Sequence, residues 1–189
     1  MERLNSLDQI LTAAINGWNC PIADAVMVFA SKVYVWVPLY LAVIIWYFCR
    51  FPWRKALAIV AALILAFVFT DKFSHFLKES AFLRFRPCED PVFSASIRLL
   101  EKHGSLYGFP SGHACNTFCF ALLTSLTARR KWWPLVAFGW AALVSYSRIY
   151  VGKHYFGDVL GGIFLGLAAA LLIYLILNAI LKRIDKCSA

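Results

Sequence analysis

Residues 159–181 read VLGGIFLGLAAALLIYLILNAIL, a run without one charged side chain. The hydrocarbon core of a bilayer takes roughly 17 to 25 such residues wound as a helix, so this stretch by itself reads as a membrane span. Four more apolar runs precede it: Val33 to Cys49, Ala56 to Thr70, Ala114 to Ala128 and Pro134 to Tyr150. None alternates in polarity, which excludes β-barrel strands and leaves helices as the way to satisfy the backbone in lipid. The second run is expected to continue as helix through Asp71, Lys72 and His75 to Lys78. The composition agrees: 61% of the 189 residues are hydrophobic and 15% charged, far from the balance of a soluble domain. The sequence predicts an all-α polytopic membrane helix bundle of about five transmembrane helices, forming one domain over residues 1–189.

Ahead of the spans, Ser6 to Trp18 put Leu7, Ile10, Leu11, Ala14, Ile15 and Trp18 on one helical face, with Asp8 and Gln9 elsewhere. That pattern is an amphipathic interfacial helix. Together with a short apolar piece from Ala23 to Ala30 it makes an N-terminal region over residues 6–30. No apolar run precedes a small-residue cleavage site, so a removable signal peptide is not expected.

The net charge of +9 does not point to nucleic acid, because the basic residues sit in short clusters between apolar runs and form no polar face. With five spans, the turn Arg50, Arg54, Lys55, the turn Arg129, Arg130, Lys131 and the tail Lys182, Arg183, Lys186 all fall on one side. The positive-inside rule makes that side the cytoplasm. The long polar loop 78–112 and the link from the fourth to the fifth span then open on the opposite face. The six cysteines, Cys20, Cys49, Cys88, Cys115, Cys119 and Cys187, have neither paired metal-type spacing nor a disulfide framework, and are read as packing residues.

Three polar clusters interrupt the apolar chain: Lys78 through Arg86-Pro87, Pro110-Ser111-Gly112-His113, and Ser147-Arg148 through His154 to Asp158. All three belong to the same predicted face. Transfer of a phosphate monoester needs cations around its oxygens, an activated nucleophile and a proton donor for the leaving oxygen. His154 precedes Asp158 by four residues, one helical turn, so the carboxylate can take the imidazole N–H and leave the other ring nitrogen free to attack phosphorus. His113 opens the third main span and can protonate the leaving alkoxide, while Ser111 and the Gly112 N–H can hold phosphate at a helix N-terminus. Arg86 and Arg148 offer planar forks for phosphate oxygens and Lys78 a point charge. At this face no Asp, Glu, His or Cys cluster has metal-ligand spacing, so neither a metal nor another cofactor is expected. Singly, each residue has a plainer explanation, such as interfacial histidines, snorkelling arginines or a helix-capping Asp158. Their conjunction on one face is what argues for a site. His103, Glu79, Arg84, Glu89 and Asp90 are read as loop residues.

These clusters resemble the type 2 phosphatidic acid phosphatase family, within the phosphatidic acid phosphatase/vanadium haloperoxidase superfamily, over about Ser6 to Leu181. Pro110-Ser111-Gly112-His113 is complete, and so is Ser147-Arg148, five residues, His154, three residues, Asp158. One departure stands out: seven residues separate Lys78 from Arg86 where the family usually has six, and position 79 is Glu. A helix-end bulge can absorb the extra residue, or Arg84 can take part of the lysine's work. The resemblance implies metal-independent, two-step hydrolysis through a phosphohistidine at His154, supported by Asp158. His113 would act as acid and then base, and Lys78, Arg86, Ser111, Gly112, His113 and Arg148 would line the phosphate pocket. Full members of that family often have six spans, the first of which is expected to be missing here, and the placement of the basic clusters then puts the N-terminus outside.

The substrate would be a phosphorylated membrane lipid: phosphatidic acid, phosphatidylglycerol phosphate, undecaprenyl diphosphate or lipid A. The expected setting is a bacterial inner membrane with the site on its periplasmic face. Two other readings compete. A lipid phosphotransferase would use the same phosphohistidine, and a non-catalytic phospholipid-binding or transport protein would use only the basic pocket. A haloperoxidase shares the pocket chemistry but not the membrane embedding.

Overall fold

The computed structural model describes residues 2–188 and the side chains of residues 5–186. Seven helices carry the chain: α1 (Glu2–Asn16), α2 (Pro21–Ser31), α3 (Val37–Arg50), α4 (Trp53–Phe76), α5 (Gly112–Ala128), α6 (Trp133–Tyr150) and α7 (Phe156–Ser188). A 3-10 turn, Val33–Trp36, leads into α3, and a π turn, Leu77–Ala81, prolongs α4. The described residues contain no strand. A lone antiparallel bridge, Phe85 to Tyr107, closes the long loop on itself.

Three segments are long and apolar enough to cross a membrane: Val33–Arg50, Trp53–Ala81 and Phe156–Lys186. Their outward side chains stay exposed, as with Ile45, Leu65 and Phe164, which suits helices whose solvent is lipid. The other two expected spans are α5 and α6, of 17 and 18 residues. At 1.5 Å per residue each is roughly 25 Å long. Helix α5 packs against α4, α6 and α7 and so is largely screened from lipid. Its threonines Thr117, Thr124 and Thr127 satisfy themselves on carbonyls one turn back.

Gly162 and Gly166 let α7 lie against α5. A methyl at either position would overlap the Ser111 or Cys115 carbonyl, so the small-residue pair is a packing requirement. The apolar core joins α3, α4, α5 and α7 through Tyr47, Ile59, Leu123 and Leu177. At one end of the bundle an ion pair between Lys55 and Asp185 ties the start of α4 to the tail of α7. The basic turns and tail gather there, and the three chemical clusters gather at the other end.

Helix α1 is amphipathic as expected, with Leu7, Ile10 and Leu11 pointing outward, and Trp18, just past its end, is exposed as well. Its polar stripe Asp8, Thr12 and Asn16 faces the protein. Thr12 Oγ accepts the Phe156 N–H at 3.0 Å and Asp8 Oδ1 the Gly157 N–H at 2.7 Å. Asn16 donates to the Tyr150 and Arg98 carbonyls. The free amides at the start of α7 are thus capped by another helix rather than by their own sequence. Five cysteines are free, with Cys115 and Cys119 buried; Cys187 lies outside the described side chains.

Candidate active site

Three distant segments converge on a cavity of about 240 Å³ whose wall includes Lys78, Arg86, Gly112, His113, Arg148 and His154. The π turn carries Lys78 into it. Such a turn holds one more residue than an α turn, so the extra residue between Lys78 and Arg86 is absorbed at the end of α4, as the bulge expectation has it. Lys78 is 9% exposed and makes no hydrogen bond or ion pair among the described residues.

Arg86 is held by the bridge that folds the loop back. Its Nη2 donates to Ser105 Oγ at 2.9 Å, its Nη1 to the Lys153 carbonyl at 3.2 Å, and Nη1 lies 3.4 Å from His154 Nε2. Arg148, in the last turn of α6, donates through Nη1 to Glu101 Oε2 at 3.2 Å and to the Ser31 carbonyl at 3.4 Å. Glu101 also accepts the Ser31 hydroxyl. Sequence reasoning passed over Glu101, because nothing local ties a loop carboxylate to an arginine 47 residues away.

Ser111 is the residue before α5 and wholly buried, and its hydroxyl has no partner. Its N–H donates to the Asp158 carbonyl at 2.9 Å. That bond pins the start of α5 to the start of α7 and brings His113 to the same cavity as His154.

His154 sits in the turn between α6 and α7, 2% exposed. Its Nδ1 faces Asp158 Oδ2 at 3.4 Å, beyond the length of a formed hydrogen bond; the same oxygen accepts the Tyr155 N–H at 3.0 Å. The expected His–Asp bond is therefore an approach shared with a capping role. Gly108 makes it possible: a Cβ there would lie 2.7 Å from Asp158 Oδ2. Burial above all, and then the positive Arg86, Arg148 and Lys78, hold the His154 imidazole well below its ordinary range. The ring is neutral at pH 7, the state a nitrogen nucleophile needs.

Two expectations need correction. Arg84 does not share the lysine's work, since its guanidinium spans Asp158 Oδ1 at 3.1 Å and Asp8 Oδ2 at 2.5 Å, outside the cavity. The sequence offers no local signal for the pairing of Arg84 with Asp8 and Asp158, although Asp8, Thr12 and Asn16 at four-residue intervals form a polar stripe on α1. The face also does contain a group with metal-ligand geometry. One ligand atom each from Cys88, Glu89 and His103 lie within 4.8 Å of one another, outside the cavity wall. The separation of 14 positions between Glu89 and His103 hid it.

A neutral imidazole backed by a carboxylate and fronted by buried cations, set in an apolar helix bundle, defines an integral membrane phosphoric ester hydrolase. The chain belongs to the PAP2 superfamily, whose family model matches residues 55–182. It is 33% identical over 92% of its length to the lipid A 4'-phosphatase of Porphyromonas gingivalis, covering 74% of that protein. It is 32% identical over 98% of its length to the lipid A 4'-phosphatase of Bacteroides thetaiotaomicron, covering 84% of it. The crystal structure of a PAP2-type phosphatidylglycerolphosphate phosphatase from Bacillus subtilis superposes with a TM-score of 0.71 at 27% identity, over 92% of this chain and 86% of that one.

Proposed function

We propose that this enzyme removes phosphate from a membrane lipid through a phosphohistidine on His154, with phosphorylated lipid A as the first candidate substrate. One observation carries the reading: His154 presents Nε2 to Arg86 at the cavity wall while its Nδ1 faces Asp158. In the first step Nε2 bonds to phosphorus and the lipid alkoxide leaves, taking a proton from His113. In the second, water attacks the phosphohistidine, His113 receives its proton, and inorganic phosphate departs. Lys78, Arg86, Arg148, the unpartnered Ser111 hydroxyl and the Gly112 amide would neutralise the oxygens' charge in both steps. These cations take the part that a divalent metal plays elsewhere.

The lipid half of the reading is supported by a second, apolar cavity of about 310 Å³ between α3, α4 and α5. It shares Val33, Tyr40, Phe67 and Asn116 with the cationic one. A phosphorylated headgroup in the polar cup would thus have a path for its chain along the membrane-facing groove. Sequence similarity favours lipid A over phosphatidic acid, phosphatidylglycerol phosphate and undecaprenyl diphosphate. The bundle would sit in a bacterial inner membrane with its basic turns inside and its site on the periplasmic face.

The test is phosphate release by the purified protein from each of these four lipids in detergent. Lipid A should be turned over fastest, and His154→Ala should abolish release while the protein still inserts and folds. Turnover retained in His154→Ala rejects the phosphohistidine. Adding a second lipid separates hydrolysis from transfer: phosphate appearing on that lipid instead of in solution would make the enzyme a phosphotransferase.

A further inference from the structure

The link from α1 to the nucleophile suggests a job that the phosphate pocket leaves unassigned. Arg84 is clamped on three sides. Its guanidinium carbon stands 4.3 Å over the Tyr155 ring, and its two terminal nitrogens bind Asp8 and Asp158. The Tyr155 hydroxyl donates to Asp90 Oδ2 at 3.0 Å, which fixes the ring the guanidinium lies on. Asp158 is wholly buried and Asp8 nearly so, whereas Arg84 is only partly covered.

We propose that Asp8 and Arg84 are positioning residues for the His154–Asp158 pair, and that α1 thereby fixes the aim of the nucleophile. The reasoning follows the charges. A cation bound to one carboxylate alone would draw Asp158 wholly to itself and weaken its hold on the imidazole. Sharing the guanidinium with Asp8 divides that attraction. It leaves Oδ2 of Asp158 to Tyr155 N–H and His154 Nδ1 while Oδ1 is pinned by Arg84. The three charges sum to one negative, the counter-charge that a positively charged phosphohistidine ring or imidazolium would face. Asp8 also caps Gly157, one residue before Asp158, so the same side chain fixes both ends of the carboxylate's surroundings. This role rests on the phosphatase reading above.

Two kinds of variant separate charge from capping. Asp8→Asn keeps an oxygen for the Gly157 N–H, since Asn caps as well as Asp, but removes the anion. It should lower kcat about tenfold, with KM and melting temperature unchanged. Thr12→Val removes only the neighbouring cap and should lower the melting temperature while kcat stays within about twofold. Arg84→Met should lose at least as much kcat as Asp8→Asn, and Arg84→Lys should recover only part of it, because an ammonium cannot bridge two carboxylates in one plane. Wild-type kcat in Asp8→Asn, or a kcat loss matched by Thr12→Val, would overturn the proposal. A readout that needs no turnover keeps it distinct from the phosphatase reading. In nitrogen-15 histidine spectra the wild-type His154 should be the Nδ1–H tautomer, and Asp8→Asn and Arg84→Met should shift that population. An unchanged tautomer in both would equally overturn it.

Discussion

The two ends of the helix bundle use the same side chains in opposite ways. At one end Arg50, Arg54, Arg129, Arg130 and Lys131 are exposed, and Arg54 lies 5.4 Å over the exposed Trp53 ring, as a membrane-surface pair would. At the other end Lys78, Arg86, Arg148 and Lys153 are each under 10% exposed. Exposed cations at a lipid surface are solvated and screened and interact weakly with one another. Buried ones are desolvated and expensive, and they persist where an anion is to be held or where neighbours compensate them. What a basic residue does in this protein is set by its burial, and its identity in the sequence says little.

That contrast is tested hardest at the buried end. Lys78→Met and Arg148→Met should each lower kcat/KM by about two to three orders of magnitude, as removal of a charge-stabilising donor does. The π turn puts Lys78 in the cavity without a partner, whereas Arg148 already has Glu101. Lys78→Met should therefore fall at least as far as Arg148→Met. Near-wild-type kinetics for Lys78→Met would place its ammonium outside the phosphate's reach and remove the π turn's significance.

The sequence made the buried end legible wherever chemistry and local spacing coincide. His154 and Asp158 are one turn apart, and Pro110 to His113 is a contiguous motif at a helix start. The spans were legible too, because a run such as 159–181 has few ways to satisfy its backbone outside a helix. What escaped was set by long-range contacts. Arg84 meets Asp8 across 76 residues and Asp158 across 74. An apolar face on α1 reads as membrane contact, and it says nothing of the polar stripe that caps α7 on the other side. The π turn has no signature in Leu77–Ala81 beyond the misfit in spacing to Arg86. Glu101 was invisible for the same reason as Asp8, since its partner is chosen by the fold.

A smaller effect sharpens the comparison through stability. His154 is held neutral by burial and by surrounding cations, so its proton affinity is lower folded than unfolded. Below an ordinary histidine value of about 6.5, the unfolded chain takes up a proton that the folded chain refuses. Stability from this residue is therefore fully present above that pH and is lost as pH falls, by up to about 1.4 kcal/mol per pH unit inside the window. His154→Gln removes the titration. The melting-temperature advantage of wild type over His154→Gln in detergent should shrink from pH 7 to pH 5. A constant difference across that range would mean the imidazole is not kept neutral.

The smallest effect belongs to the exposed end. Arg130→Gln removes one of the cations in the turn between α5 and α6, far from the cavity and open to solvent. Its stability change should stay within about 0.5 kcal/mol, the usual range for surface substitutions, and phosphate release should stay within about twofold. The only property it should touch is orientation, through the charge that holds this turn on the inner side. Doubling the change with Arg129→Gln should therefore alter protease accessibility of the loop 129–132 in sealed vesicles before it alters turnover in detergent. Turnover in detergent that fell with either substitution would couple the two ends energetically, and burial would no longer suffice to tell a working cation from an anchoring one.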